Sequence, residues 1–274
     1  MKLDRRYLLI AAAIVGTTTS RSVQACERRI RVSQHELDEA IRLHGMWVAD
    51  INTGQRCAFP GRDLSGLHFG VLGGRPVDLS GADFAQADLS GTEADDILVH
   101  HCSFNGTKFD GCRWRQPTFA FADMRRASAK GVEWGDPDRR YSAEGLPADF
   151  RHTVLSNADL TQARIRGQFY GTKLVSACLV RADLSLSIFL GPRDREMTFS
   201  AAKLSGAKLR HCQISSVSFF HADCSGTDFS HSVFSDVRMT GCDLNQARFS
   251  EAEIENTIFS PEQMDQADLR RYIG

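Results

Sequence analysis

The 274-residue chain is 42% hydrophobic and 24% charged, with 33 Lys and Arg against 34 Asp and Glu, the profile of a folded, water-soluble protein rather than a disordered one. A formal net charge of −1 gives neither a nucleic-acid-binding surface nor a strongly acidic imitation of one, so no direct nucleic-acid binding is expected. Residues 1–25 carry Lys2, Arg5, Arg6 and Arg21 against Asp4, so a chain without them would stand at about −4.

Those first 25 residues predict export. A basic start precedes the apolar run Tyr7 to Val15, and a polar stretch then ends in Val23-Gln24-Ala25, which fits a small-residue cleavage rule. The run is far shorter than the roughly twenty residues that cross a bilayer. Arg5-Arg6 followed by Tyr7-Leu8-Leu9 is similar to a twin-arginine signal, although Asp4 stands where Ser or Thr is usual, and the general secretory route stays open beside it. The expected mature protein starts at Cys26 and is periplasmic. Lipid attachment at Cys26 is the alternative, and the sequence offers no other membrane attachment.

Residues 26–56 hold one helix candidate. Ser33 followed by Glu36 is a capping-box signature, and Leu37, Ala40, Ile41, His44, Trp47 and Val48 share one side at helical spacing. The polar side mixes Glu36, Asp38 and Glu39 with Arg42 and lacks the basic stripe of a membrane-surface helix.

From Phe59 nearly to the C-terminus a large apolar residue, mostly Leu or Phe, recurs about every fifth position. On a helix such a period drifts by roughly 140° per step, and on a strand it flips successive residues to opposite faces. The chain must therefore turn a corner in each repeat. Ala82-Asp83-Phe84-Ala85-Gln86, Ala87-Asp88-Leu89-Ser90-Gly91, Ala158-Asp159-Leu160-Thr161-Gln162 and Ala182-Asp183-Leu184-Ser185-Leu186 are the best-preserved units. Their first position is small and their third large, so both can point inward, while Asp at the second and Gly, Ser or Asn near the corner favour tight turns.

These units resemble the pentapeptide-repeat family, whose pattern is A-(D/N)-L-x-x, over nearly everything after residue 56. The resemblance implies an all-β solenoid, a right-handed quadrilateral β-helix in which four repeats make one square coil. Such a solenoid needs its end coils covered, a role for the helix within 26–56. The repeat phase predicts coils over 57–134, a protruding loop over 135–153, further coils over 154–260 with a smaller bulge at 190–197, and a C-terminal cap over 261–274. In that last segment Ser260-Pro261-Glu262-Gln263 reads as a helix start, with one more coil as the alternative.

Chemistry is nearly silent. Cys102, Cys112, Cys212 and Cys242 fall at the small inward position and no two cysteines share a column about twenty residues apart, so they read as substitutes for Ala, with Cys178 outward and a Cys26–Cys57 pairing left open. His211, His231 and Glu251 should stack at one corner of successive coils. Two imidazoles and a carboxylate are a weak candidate metal set, because a straight external column is a poor tetrahedral cage and a solvated polar ladder is the simpler reading. No catalytic residue, cofactor or resident metal is expected. The expected function is a non-catalytic exported scaffold for an unidentified protein partner. The alternative, also implied by the family, is a cytoplasmic DNA-mimicking protein that binds the topoisomerase gyrase.

Overall fold

Each five-residue unit begins with a buried small residue, exposes its second residue, buries a large third residue and then bends, because the corner residue takes a left-handed backbone. Gln86 (φ 60°), Asp96 (51°), His101 (54°), Asn157 (60°) and Gly206 (66°) all adopt it, which explains the Gly, Asn and Gln that accumulate there. A computed structural model describes residues 29–70, 76–135, 147–191 and 197–266. Four bends close a square coil, and successive coils pair in parallel, as in Asp83↔Ser103↔Asp123 and Lys203↔Asp223↔Asp243. The architecture is a right-handed four-sided β-helix.

The second-position Asp has a local task. Its carboxylate accepts the backbone N–H two residues on, at 2.9 Å from Ser65 to Asp63, 3.0 Å from Ala85 to Asp83 and 3.1 Å from Ser225 to Asp223, so each Asp fixes the bend that follows it. Inside, Phe119, Phe150, Phe169 and Phe189 stack along one side with ring centroids 5.2, 4.7 and 4.7 Å apart. The small inward position also carries hydroxyls and thiols. They are satisfied by a repeating bond to the previous coil: Thr107 donates to the Phe84 carbonyl at 2.6 Å, Thr227 to Leu204 at 2.8 Å and Cys112 to Leu89 at 2.8 Å. Ala, Ser, Thr and Cys are thus interchangeable there by volume, with no polar atom left stranded.

Coil spacing is twenty residues except where the chain gains or loses units. Asp63↔Asp88 spans twenty-five, Thr118↔Asp149 thirty-one, Val154↔Lys173 nineteen and Lys173↔Thr198 twenty-five. The surplus residues fall at 71–75, 136–146 and 192–196, outside the described residues. The loop expected over 135–153 is therefore too long. Ala148–Asp149 is a strand paired with Gly167–Gln168, and Phe150 is buried in the aromatic stack, so the second run of coils starts at Ala148 rather than 154. The expected bulge at 190–197 likewise narrows, because Leu190 pairs with Ser215 and Met197 with Val217. Gly135 and Gly191 stand where two of these insertions begin; a Cβ on either would strike a backbone oxygen of the next coil, Arg166 or Ser216.

Both ends are covered. Helix α1, Gln34–Ala49, carries the expected capping box between Ser33 and Glu36 and buries Leu37, Ile41 and His44, while Ala40, Trp47 and Val48 of the expected face are only half-buried. Just before it, residues 30–32 add a strand to the first coil, Val32 donating to Asp63 at 2.8 Å and Asp63 to Ile30 at 3.0 Å. At the other end helix α2, Pro261–Gln266, follows Ser260, as the Pro261 signature predicts, and the rest of the expected cap lies outside the described residues.

Candidate functional site

The coils present four faces, named here by their outward second-position columns. Face 1 runs through Asp83, Ser103 and Asp123; face 2 through Asp88, Lys108 and Ser128; face 3 through Glu93, Arg113 and Glu133; face 4 through Leu98, Thr118 and Asp149.

From Glu93 onward face 3 alternates in charge: Glu93, Arg113, Glu133, Arg164, Asp183, Lys208, Asp228, Arg248. Arg113 lies 3.9 Å from Glu93 and 3.7 Å from Glu133, Arg164 2.9 Å from Glu133 and Lys208 3.8 Å from Asp183. The column neutralises itself. Asp228 pairs in register with both Lys208 and Arg248, as the repeat phase requires, yet the nearest guanidinium is that of Arg210, at 3.6 Å. Partial burial works against its charge, but the Ser230 hydroxyl and N–H and the two arginines Arg210 and Arg248 hold its carboxyl below the ordinary range.

His211, His231 and Glu251 do form a corner column between faces 3 and 4. The two imidazoles stack 4.6 Å apart and within 3° of parallel, and His231 Nδ1 lies 3.3 Å from Glu251 Oε2. Parallel rings send their in-plane lone pairs side by side instead of towards one point, so no ion could sit about 2.0–2.1 Å from both nitrogens. Among the described residues no group of His, Cys, Asp and Glu is arranged to hold a metal. The contacts observed in the column are one ring stack and one imidazole–carboxylate pair.

The thiols behave as core atoms. Burial pushes Cys57, Cys112 and Cys212 up to about 12, which keeps them protonated and unreactive. Cys178 is half-exposed in the face 2 column, Cys57 is a free buried thiol, and Cys26 lies outside the described residues. One neighbour relation was not legible in single columns: Cys224, at a central position, and Cys242, at the small position of the next coil, interact through their thiols.

Face 4 is different. Its outward side chains include Leu98, Ile188, Leu190, Tyr170 and Val233, the last 43% exposed, and its one mid-length charge pair, Asp149 and Arg151 at 2.6 Å, cancels. The chain departs into all three insertions at its borders, after Gly70 and Gly135 at the edge with face 3 and after Gly191 at the edge with face 1. On that second edge His101, Phe121, His152 and Tyr170 form a ring stack with steps of 4.9, 4.9 and 5.2 Å. Phe121 is 52% exposed and left-handed at φ 61°, an unfavourable place for a bulky residue. Elsewhere an open groove of about 430 Å3 lies between α1 and the first coil, bordered by His35, Glu36, Glu39, Arg56, Cys57 and Arg62, where burial keeps the one thiol, Cys57, protonated.

A stack of four-sided coils built from five-residue units, with alternating charge along one column, defines a β-solenoid. The model for pentapeptide repeats matches residues 198–236, 222–260 and 232–271, with eight copies, and the same coil geometry continues upstream to Ala58. The chain belongs to the pentapeptide-repeat family. Among solved structures it is similar to HetL, a pentapeptide-repeat protein involved in heterocyst differentiation regulation from the cyanobacterium Nostoc sp. strain PCC 7120, at 18% identity over 80% of this chain and 89% of that one, with a TM-score of 0.33. It is also similar to QnrB1, a plasmid-mediated fluoroquinolone resistance protein, at 15% identity over 80% and 94% of the two chains and a TM-score of 0.30. A third is Rfr23 from the cyanobacterium Cyanothece 51142, at 18% identity over 50% and 64%, with a TM-score of 0.14. No curated protein matches the sequence.

Proposed function

We propose that this pentapeptide-repeat protein is a non-catalytic, exported scaffold that binds a protein partner through face 4. The observation that carries this reading is the coincidence, on face 4, of outward apolar side chains with the three insertions: Leu98, Ile188 and Val233 lie on the one face that every insertion borders. Large exposed apolar residues on a rigid sheet, beside aromatic and Arg groups, are the composition of protein-binding surfaces. The export signal Val23-Gln24-Ala25 supports a periplasmic location.

The alternative, a gyrase-binding imitation of DNA, has less support. Duplex DNA carries unbroken negative charge along its length, whereas face 3 alternates sign from Glu93 to Arg248 and face 4 separates its acids Asp78, Asp149 and Glu253 with uncharged residues such as Leu98, Ile188 and Val233. The test is fractionation of the native cell combined with a photoreactive side chain at Val233 or, as a control, at Arg113. Protein exported without its first 25 residues and crosslinked to a partner from Val233 is expected; full-length protein in the cytoplasm, or adducts from Arg113 alone, would overturn the reading.

A further inference from the structure

The first coil needs its exposed backbone groups covered, and the devices that cover them are the strand at residues 30–32, the Arg31 guanidinium on the Ser65 carbonyl, the Gln34 side chain on His68, and His44 on Cys57. Only the last can titrate. The Cys57 backbone N–H donates to His44 Nδ1 at 2.9 Å, and the imidazole is wholly buried between α1 and the first coil, stacked on Trp47 at 5.2 Å. Its other nitrogen, Nε2, makes no hydrogen bond of ordinary geometry, the Ser80 carbonyl being its one polar neighbour of note. A proton on Nδ1 would set two donors against each other and place a charge in a dry interface. We propose that His44 is an acid-sensitive latch that releases α1 from the first coil, baring the N-terminal end of the solenoid.

The charged groups that face the ring do not rescue the cation. Asp78 and the Ser80 carbonyl favour it and Arg56 opposes it, but burial outweighs them and depresses the imidazole to about 4. Released into water, the same ring would return to about 6.5. Because the docked form binds the proton less tightly, docking is fully present above about pH 6.5 and is lost progressively as pH falls towards 4. What holds α1 otherwise is small: Leu37 and Ile41 are its only fully buried aliphatic side chains. Among the described residues the inward Leu and Phe of the coils have no imidazole within their stack, the burial-depressed His100 and His101 lying outside it, so acid should open the cap and leave the coil centres closed.

Hydrogen–deuterium exchange on the full chain at pH 7.5 and pH 5.0, corrected for intrinsic exchange, tests this. The opening ratio of the amides of residues 38–48 is expected to rise about thirtyfold at pH 5.0, while those of Phe109 and Phe119 hold steady. His44→Gln, which retains an acceptor, and His44→Met, which fills the space without one, should each remove the pH dependence of α1. Equal opening at both pH values, parallel loosening of the coil centres, or an acid response that survives in either variant would overturn the latch.

Discussion

The Gln34 side chain closes on the backbone of His68 from both sides, its Nε2 donating to the His68 carbonyl at 2.8 Å and its Oε1 accepting the His68 N–H at 3.0 Å. One side-chain amide thus imitates the peptide group that a preceding coil would have supplied. Gln263 does the complementary work at the far end, where its Nε2 lies 2.6 Å from the carbonyls of both Met239 and Cys242. The two ends differ in burial, Gln263 being 2% exposed and the His68 site open to water. Gln34→Ala should therefore cost about 1 kcal/mol and Gln263→Ala about 1–3 kcal/mol, because only the second strands buried acceptors. Denaturant unfolding of the two variants measures the difference.

Core truncation should outweigh any surface change. Phe229 is wholly buried and packs against Phe219, Phe234 and Phe249 at 6.0, 5.5 and 5.0 Å, so Phe229→Ala is expected to destabilise by about 3–5 kcal/mol. Its neighbour Asp228 holds the Ser230 N–H at 3.0 Å and a partly exposed arginine. Asp228→Ala should cost about 1 kcal/mol or less. Equal losses in equilibrium unfolding would contradict the coil packing.

The alternating column makes a salt-dependent prediction. Arg164→Glu would place acids at three successive coils, between Glu133 and Asp183, and should cost about 1–2 kcal/mol at low ionic strength. Raising salt to about 1 M, where the screening length falls to about 3 Å, should recover most of that loss. Unfolding midpoints of wild type and variant across a salt series read this directly.

Thiol accessibility should separate one cysteine from its companions. Cys178 is half-exposed in the face 2 column, whereas Cys57, Cys102, Cys112, Cys212, Cys224 and Cys242 are buried. Brief iodoacetamide treatment of the folded chain followed by peptide mass spectrometry should label Cys178 first among these seven, the others becoming reactive only on unfolding.

Much of this was legible in the amino acids alone. A five-residue period with small and large inward positions admits only a chain that turns at every unit; the resemblance to the pentapeptide-repeat family supplied four units per coil, and counting on that coil gave the columns Lys203–Asp223 and Lys208–Asp228–Arg248. The same counting placed His211, His231 and Glu251 at one corner. Local rules suffice because each bend is made by residues two apart, as when Asp223 holds Ser225. What needed the tertiary structure was everything fixed between coils. The phase alone put the second run of coils at 154, but stacking of Phe150 on Phe119 and Phe169 draws residues 148–153 into a coil. Column reasoning treated the cysteines one file at a time and so missed Cys224 against Cys242, a diagonal pair. It named Lys208 and Arg248 as the partners of Asp228, whereas side-chain reach selects Arg210. Nor could helical spacing reveal that Gln34 and His44 act as stand-ins for backbone, because those bonds join residues 34 and 13 positions apart, and only the folded end coil brings them together.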